Sequence, residues 1–308
     1  MTAPQSIVLQ AGSLPTPLAG LRAATSSGAV LATFERSAYL DLDGRIVALA
    51  SADLARGPLS ISLRESGPLP TVSTGAVVRL AGGELRVGAI TVDLHTASAW
   101  DPLLPPAPLP DDATAVSRQA VIDEVLASAP DGSIVPLLVS EPHRAQLAAS
   151  PPIMSAAPPG GPLLGALSRG LASLEELLAG QAEPARILPA IAGEIAGRGP
   201  GLTPSGDDLL VGICYALTVW PRLVAGDART VRELLVGAAR PRTTRISAAY
   251  LDAARDGLAA EPWHVLIRSL GGPAAETRAA VRRLLLVGET SGADALTGFC
   301  WAWRRLPA

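Results

Sequence analysis

Near residue 111 the spacing of apolar residues changes, and this limits what the chain can fold into more than any other feature. Before it, short aliphatic and β-branched runs alternate with turn residues; after it, apolar residues recur about every 3.6 positions. Sheet and helix in separate stretches predict an α+β protein. Residues 29–35, 37–42 and 45–50 read as strands, the last two joined at Asp43-Gly44, a hairpin turn pair. Further strands are expected at 59–64, 76–80, 84–87 and 90–94, which together suggest a small barrel or sandwich over residues 1–110. The proline-rich stretch 100–111 reads as a connection. Residues 111–308 are expected to form a larger, all-helical region against which the β-rich region packs. Val116, Ala120, Val121 and Val125 mark its first helix, and Leu163, Leu167, Leu171, Leu174 and Leu178 mark another. Between these lies a loop at 150–162 rich in proline and glycine, and helices are expected over 184–196, 208–220, 228–239, 244–255, 262–270, 274–286 and 293–304.

Within the helical region a short phrase is written twice, Ser205-Gly206-Asp207-Asp208-Leu209-Leu210-Val211-Gly212 and Ser291-Gly292-Ala293-Asp294-Ala295-Leu296-Thr297-Gly298. The shared pattern is S-G-x-D-x-L-x-G, and the two serines stand 86 positions apart. Each copy sets a hydroxyl, a glycine and a carboxylate ahead of an apolar run, which is how a helix begins. Two readings fit. In one, each Ser and Asp form a capping box and do nothing else. In the other, the glycines permit close approach of a ligand and the two helix starts face one small anion with their free N–H groups. A cap asks for no glycine at its second position, so the recurrence of both glycines favours the site. Asp208 and Asp294 are the symmetric carboxylates, expected to accept hydrogen bonds from a substrate amide. A helix start favours the charged form of an acid unless burial intervenes.

The residues around the first copy add to this reading. Gly197-Arg198-Gly199-Pro200-Gly201-Leu202-Thr203-Pro204 holds three glycines and two prolines in eight residues, an unusual backbone path into a helix start. Gly201, Thr203, Ser205, Gly206 and Asp207 would line the site from this side, and Thr290, Ser291 and Gly292 from the other. A third start, Arg240-Pro241-Arg242-Thr243-Thr244-Arg245, offers the hydroxyls of Thr243 and Thr244 and the guanidinium of Arg245. Those threonines could equally be caps and those arginines a solvated face. An arginine turned inward would fork onto a planar oxyanion.

Composition removes several alternatives. The 308 residues contain no lysine and no asparagine, so all 25 basic residues are arginine. A lysine Schiff base, a pyridoxal phosphate lysine and a Walker-loop lysine are therefore excluded. A net charge of −3 argues against nucleic acid or an anionic membrane as partner. The charge-free stretches are broken by proline or fall short of the ~20 residues needed to cross a bilayer. The amino end shows no secretory signal pattern, so a cytoplasmic location is expected. Cys214 and Cys300 lie in apolar runs and read as core residues, while His95, His143 and His264 are scattered. No cofactor and no metal are expected on this basis; any cation would be a hard, oxygen-bound one.

GLTPSGDD at 201–208, TTRISAAYL at 243–251 and VGETSGADALTGF at 287–299 are similar to signature blocks of the AllH-like family, and the segment from Phe34 to Leu40 is similar too. The named member of that family is a subunit of oxamate carbamoyltransferase. The resemblance implies participation in phosphorolysis of oxalurate to oxamate and carbamoyl phosphate, within allantoin degradation and purine catabolism. It implies companion carbamoyltransferase subunits and a small anionic substrate: phosphate, carbamoyl phosphate, oxalurate or oxamate. Two other readings stay open. One is a non-catalytic assembly subunit, with Phe299, Trp301 and Trp303 at an interface; the other is a magnesium-dependent phosphoryl-transfer enzyme using Asp207 and Asp208.

Overall fold

Alternating burial is clearest in strand β3 (Ser37–Leu42), where every second residue is buried, and it pairs through a tight turn with β4 (Arg45–Ala50). Asp43 and Gly44 carry φ of 48° and 86°, the left-handed pair that a two-residue hairpin needs. In this computed structural model, which describes residues 7–108, 112–139 and 161–306, the strands are completed by β1 (Ile7–Pro15), β2 (Ser26–Thr33), β5 (Ser60–Leu63), β6 (Val77–Ala81), β7 (Glu84–Val87), β8 (Ile90–Asp93) and β9 (Ser98–Trp100).

The sheet order is β5-β4-β3-β2-β6-β7-β8-β1-β9, and β1 also pairs with β5. That last pairing closes eight strands into a barrel and leaves β9 as an appended strand beside β1. The closing seam is antiparallel with a register shift between Ala11 and Ser13, whereas β1–β8, β1–β9 and β4–β5 are parallel. Eight strands enclose a space that side chains alone can fill. Leu14, Leu40, Leu49, Ile61, Leu80 and Leu85 are among those that fill it. The sequence does not mark β1 or β9 as strands, and β2 begins at Ser26 rather than residue 29. Gln10, Gly12 and Ser13 interrupt the apolar pattern of β1, which becomes a strand because both its edges find partners.

The described residues through Leu103, with Leu258–Glu261, form one compact unit, and the remaining described residues form a second. Its helices are α1 (Asp112–Ser128), α2 (Gly161–Leu178), α3 (Pro184–Ile195), α4 (Ser205–Val219), α5 (Ala228–Ala239), α6 (Arg245–Arg255), α7 (Glu261–Ser269), α8 (Ala274–Leu285) and α9 (Ser291–Trp303). Residues 150–160 of the expected loop and 109–111 of the expected connection lie outside the described residues, as does His143. Among the described residues no helix is long and apolar enough to cross a membrane.

The core of the second unit contains an aromatic cluster. Trp220 stacks on Trp303 with centroids 4.6 Å apart, and Phe299 sits against Trp220, Trp263 and Trp303. Phe299, Trp301 and Trp303 are all buried, so the carboxy-terminal aromatics are core residues of this unit rather than an open interface. Cys214 and Cys300 are free and buried beside them, each thiol pushed up to about 12 by desolvation.

Candidate functional site

The duplication extends beyond the repeated phrase. In α3, Leu188, Ile191, Ala192 and Ile195 are buried; in α8 the buried residues Thr277, Ala280, Val281 and Leu284 stand 89 positions on. The helices that follow, α4 and α9, are 86 positions apart, so the second connection is three residues shorter. Each arm is a helix, a glycine-bearing turn and a second helix. The repeat also runs further along the second helices than S-G-x-D-x-L-x-G suggests: Cys214 and Cys300 stand at its tenth position, and Ala216 and Ala302 at its twelfth. Extending the alignment past the eighth residue would have revealed this.

Both glycines of the phrase are explained by contacts within the chain. A Cβ on Gly206 would lie 1.9 Å from the Ile195 carbonyl oxygen, and one on Gly292 would lie 1.9 Å from that of Leu284. The N–H groups of Gly206 and Gly292 donate to Arg198 O and Val287 O at 2.8 and 3.0 Å. The second glycine thus lets the preceding helix end against the new helix start, and the room expected for a ligand there is filled by the chain's own carbonyl. The eighth glycine works between the arms. A Cβ on Gly212 would lie 1.8 Å from Ala295 O, and one on Gly298 would lie 2.0 Å from Leu209 O. The contact is reciprocal, position eight on position five in both directions, so α4 and α9 touch backbone to backbone.

The hydroxyls and carboxylates are exchanged in the same way. Ser291 acts on the carboxyl of Asp208 and Ser205 on that of Asp294, each hydroxyl lowering the acid's pKa against the effect of burial. This corrects the capping reading. Ser205 and Ser291 lie inside the first helical turn, and the residues in cap position, Pro204 and Thr290, make no side-chain cap bond. Each serine acts on the aspartate of the other arm. Thr203 Oγ1 lies 2.9 Å from Ser291 Oγ and also reaches Asp208, so the two connections meet at a pair of hydroxyls. Asp294 Oδ1 accepts the Ile134 N–H at 2.8 Å, and the Thr290 side chain also lowers its pKa.

Asp207, which has no counterpart in the second arm, joins the third helix start. Its Oδ1 accepts the Gly197 N–H at 2.9 Å, and its Oδ2 accepts the Ser247 hydroxyl at 2.8 Å and the Thr243 hydroxyl. Thr244 is the N-cap of α6: its Oγ1 accepts Ser247 N–H at 3.0 Å and donates to the carbonyl of Leu202. Arg245 is the exposed first residue of that helix, and Gly201 is exposed in the turn with φ of 88°. All three signature blocks therefore meet at one junction. Ser247, Gly197 and Ile134 belong to it too; the first is visible in the sequence only as a hydroxyl one turn beyond Thr243, and the others act through backbone N–H, which carries no sequence signal. Thr244→Ala is expected to cost about 1 kcal/mol of stability, with Thr244→Ser close to neutral, as read by chemical denaturation.

Electrostatics also depart from expectation. Asp207 and Asp294 have no exposed surface and Asp208 is 8% exposed. Desolvation is the largest influence on all three and raises their pKa, well above the ordinary value for Asp208, so burial outweighs the helix dipole. Oδ2 of Asp208 and Oδ2 of Asp294 have no hydrogen-bond partner. Two surface depressions of this unit, of about 300 and 650 Å³, are lined by groups including Arg240 and Asp252 in one and Arg118 and Arg304 in the other. Neither includes the junction. What the junction offers a ligand is a rim, where Thr203, Thr290 and Ser291 are half-buried and Gly199, Gly201 and Glu289 are exposed.

Residues 195–303 match the family model described as oxamate carbamoyltransferase subunit AllH. The matched region runs from the end of α3 to the end of α9 and so contains all of the junction except Ile134. No solved structure matches the chain.

Proposed function

Taking the matched region as that of an oxamate carbamoyltransferase-related subunit, we propose that the chain holds a small anion at the rim of the junction and takes part in carbamoyl transfer between oxalurate and phosphate. The observation that carries this reading is the meeting of Thr203 Oγ1 and Ser291 Oγ at 2.9 Å, which sets two hydroxyls at the amino ends of two helices at once. Each helix start contributes roughly half a positive charge, and two side by side favour an anion more than either alone. Fixed donors of this kind also stabilise oxyanion charge that develops during acyl transfer. Phosphate, carbamoyl phosphate, oxalurate and oxamate all fit in charge and compactness. Arg245 follows Thr244, whose hydroxyl bonds the Leu202 carbonyl of the connection, and in this reading its side chain would turn toward the anion.

Asp207 and Asp294 serve this reading from behind. They tie the rim to α6 and to the turn at Ile134, and Asp207 is fully engaged by donors of its own chain. A phosphoryl enzyme with Asp207 as cation ligand would have to dismantle those bonds.

A second reading, a docking face for a companion subunit, is supported by Leu286 and Leu202, which are 83% and 37% exposed on the same two connections. Calorimetric titration of the chain with phosphate and with oxamate separates the two. We expect binding that weakens about tenfold in Thr203→Val and in Ser291→Ala, the effect of one lost hydrogen bond to a charged group. Binding unchanged in both variants would remove the rim from substrate recognition. Absence of binding together with tight association of a companion subunit, lost in Leu286→Asp, would establish the docking role instead.

A further inference from the structure

The two depressions of the helical unit hold arginines in opposite circumstances. In one, Arg229, Arg240 and Arg255 are each paired with an acid, from among Glu233, Asp252 and Asp256. The other, of about 650 Å³, is formed by α1, the turn Val135–Leu138 with Val139, and the carboxy end of α9. It holds Arg118 and Arg304, and neither has an ion pair among the described residues. No acid is among its lining residues, which are otherwise Gln119 and the aliphatic Ile122, Leu126, Leu138 and Val139. Asp123, one turn beyond Gln119, accepts the Gln119 amide at 2.6 Å instead.

Each of the two guanidiniums is tied down by a single nitrogen. Arg118 Nη1 donates to the carbonyls of Trp303 and Leu306 at 3.4 and 3.3 Å, and Arg304 Nη1 donates to that of Leu138 at 2.5 Å. The opposite edge of each, Nε with Nη2, has no acceptor among the described residues. That edge is the one with which this chain grips carboxylates elsewhere. Arg56 on Glu261, Arg169 on Glu194 and Arg282 on Glu124 all fork from Nε and Nη2. In the cleft, carbonyl oxygens therefore orient two guanidiniums and leave both forks open. Arg118 reaches the carbonyl of Trp303, the residue next to Arg304, so two like charges share one cleft and repel until an anion joins them.

We propose that this cleft binds an organic carboxylate, its charged end forked by Arg118 and Arg304 and its hydrocarbon part laid on Ile122, Leu126, Leu138 and Val139. The volume falls within the ~300–1,000 Å³ of small-ligand pockets. A planar carboxylate matches the guanidinium fork, and a bare inorganic anion would leave the aliphatic wall, where Leu126 is 44% exposed, unused. No residue of the junction lines the cleft, so this site is separate from the rim and does not rest on the reading given to it.

Calorimetric titration of the intact chain with hexanoate tests the proposal, with acetate and hexanol as probes that lack the tail and the charge. Hexanoate should bind at least about tenfold more tightly than either. Arg118→Gln and Arg304→Gln should each weaken it about tenfold, and Arg304→Lys nearly as much, because lysine keeps the charge and loses the fork. Leu126→Asp alters an exposed side chain, leaves the core untouched and should abolish binding by setting a carboxylate of the chain in the cleft. Thr203→Val, at the rim, should change nothing. Equal affinity for acetate and hexanoate would overturn the proposal by reducing the cleft to a charged patch. Absence of hexanoate binding, or binding that survives the changes at Arg118, Arg304 and Leu126, would overturn it as well. Binding lost in Thr203→Val would place the carboxylate at the rim and also overturn it. If hexanoate behaves as expected and phosphate does not bind, the rim reading fails while the cleft stands.

Discussion

Replacing Gly212 with alanine is expected to destabilise the helical unit by about 3 kcal/mol, although alanine favours a helix over glycine by about 1 kcal/mol. The new Cβ would stand 1.8 Å from the Ala295 carbonyl oxygen and 2.8 Å from the Phe299 nitrogen, both backbone atoms that cannot rotate away. Helices α4 and α9 would have to separate, and the aromatic core around Phe299 would open with them. Gly298→Ala should cost a similar amount against Leu209 O, 2.0 Å away. Once one Cβ has forced the helices apart, the second meets less resistance, so the double variant should lose clearly less than the sum. Gly237→Ala in α5 is the control, because a Cβ there meets nothing within 4 Å. It should stabilise by up to about 1 kcal/mol through propensity alone. Chemical denaturation of the four variants decides the matter, and a stabilising Gly212→Ala would show that the two helices do not meet as described.

That interlock also marks the limit of what the sequence discloses. The hairpin from Ser37 to Ala50 is legible to the residue, since alternation and the Asp43-Gly44 turn are both local properties. Strand β1 is not, because its pairing with β5 and β8 is decided by residues 49 or more positions away. The recurrence of S-G-x-D-x-L-x-G points correctly to two helix starts that belong together. It cannot say what stands against the glycines. A missing Cβ reports close approach, and a carbonyl of the same chain satisfies that as well as a ligand does. Sequence places the helix starts at residues 208 and 293, with Ser205 and Ser291 outside as caps, because a serine three positions before an acid looks the same either way. Only the partner arm distinguishes them, by taking each hydroxyl for its own aspartate. For the same reason the helix dipole is a poor guide to the acids: it is a local effect of at most about 2 kcal/mol, and burial beneath a second helix outweighs it.

Asp207→Ala is expected to cost at least about 3 kcal/mol, since it leaves the Gly197 N–H and the hydroxyls of Thr243 and Ser247 without their acceptor. Asp207→Asn should be much milder, about 1 kcal/mol. The amide oxygen can keep the Gly197 N–H, and the amide NH₂ can donate to hydroxyls that reverse their role. This ordering separates a carboxyl that pins two helix starts together from one reserved for substrate, where alanine and asparagine would leave stability alike. The consequence should reach the rim. Without Asp207, the start of α6 loses its tie to the base of the connection at Gly197, and the bond from Thr244 to Leu202 must hold the loop alone. Amide exchange at Gly197 and Leu202 should accelerate in Asp207→Ala, and phosphate affinity should fall with it, while in Asp207→Asn both should stay near those of the unaltered chain. Equal stability of the two variants would mean that the acceptor at position 207 is dispensable and that the connection is held by its prolines and glycines alone.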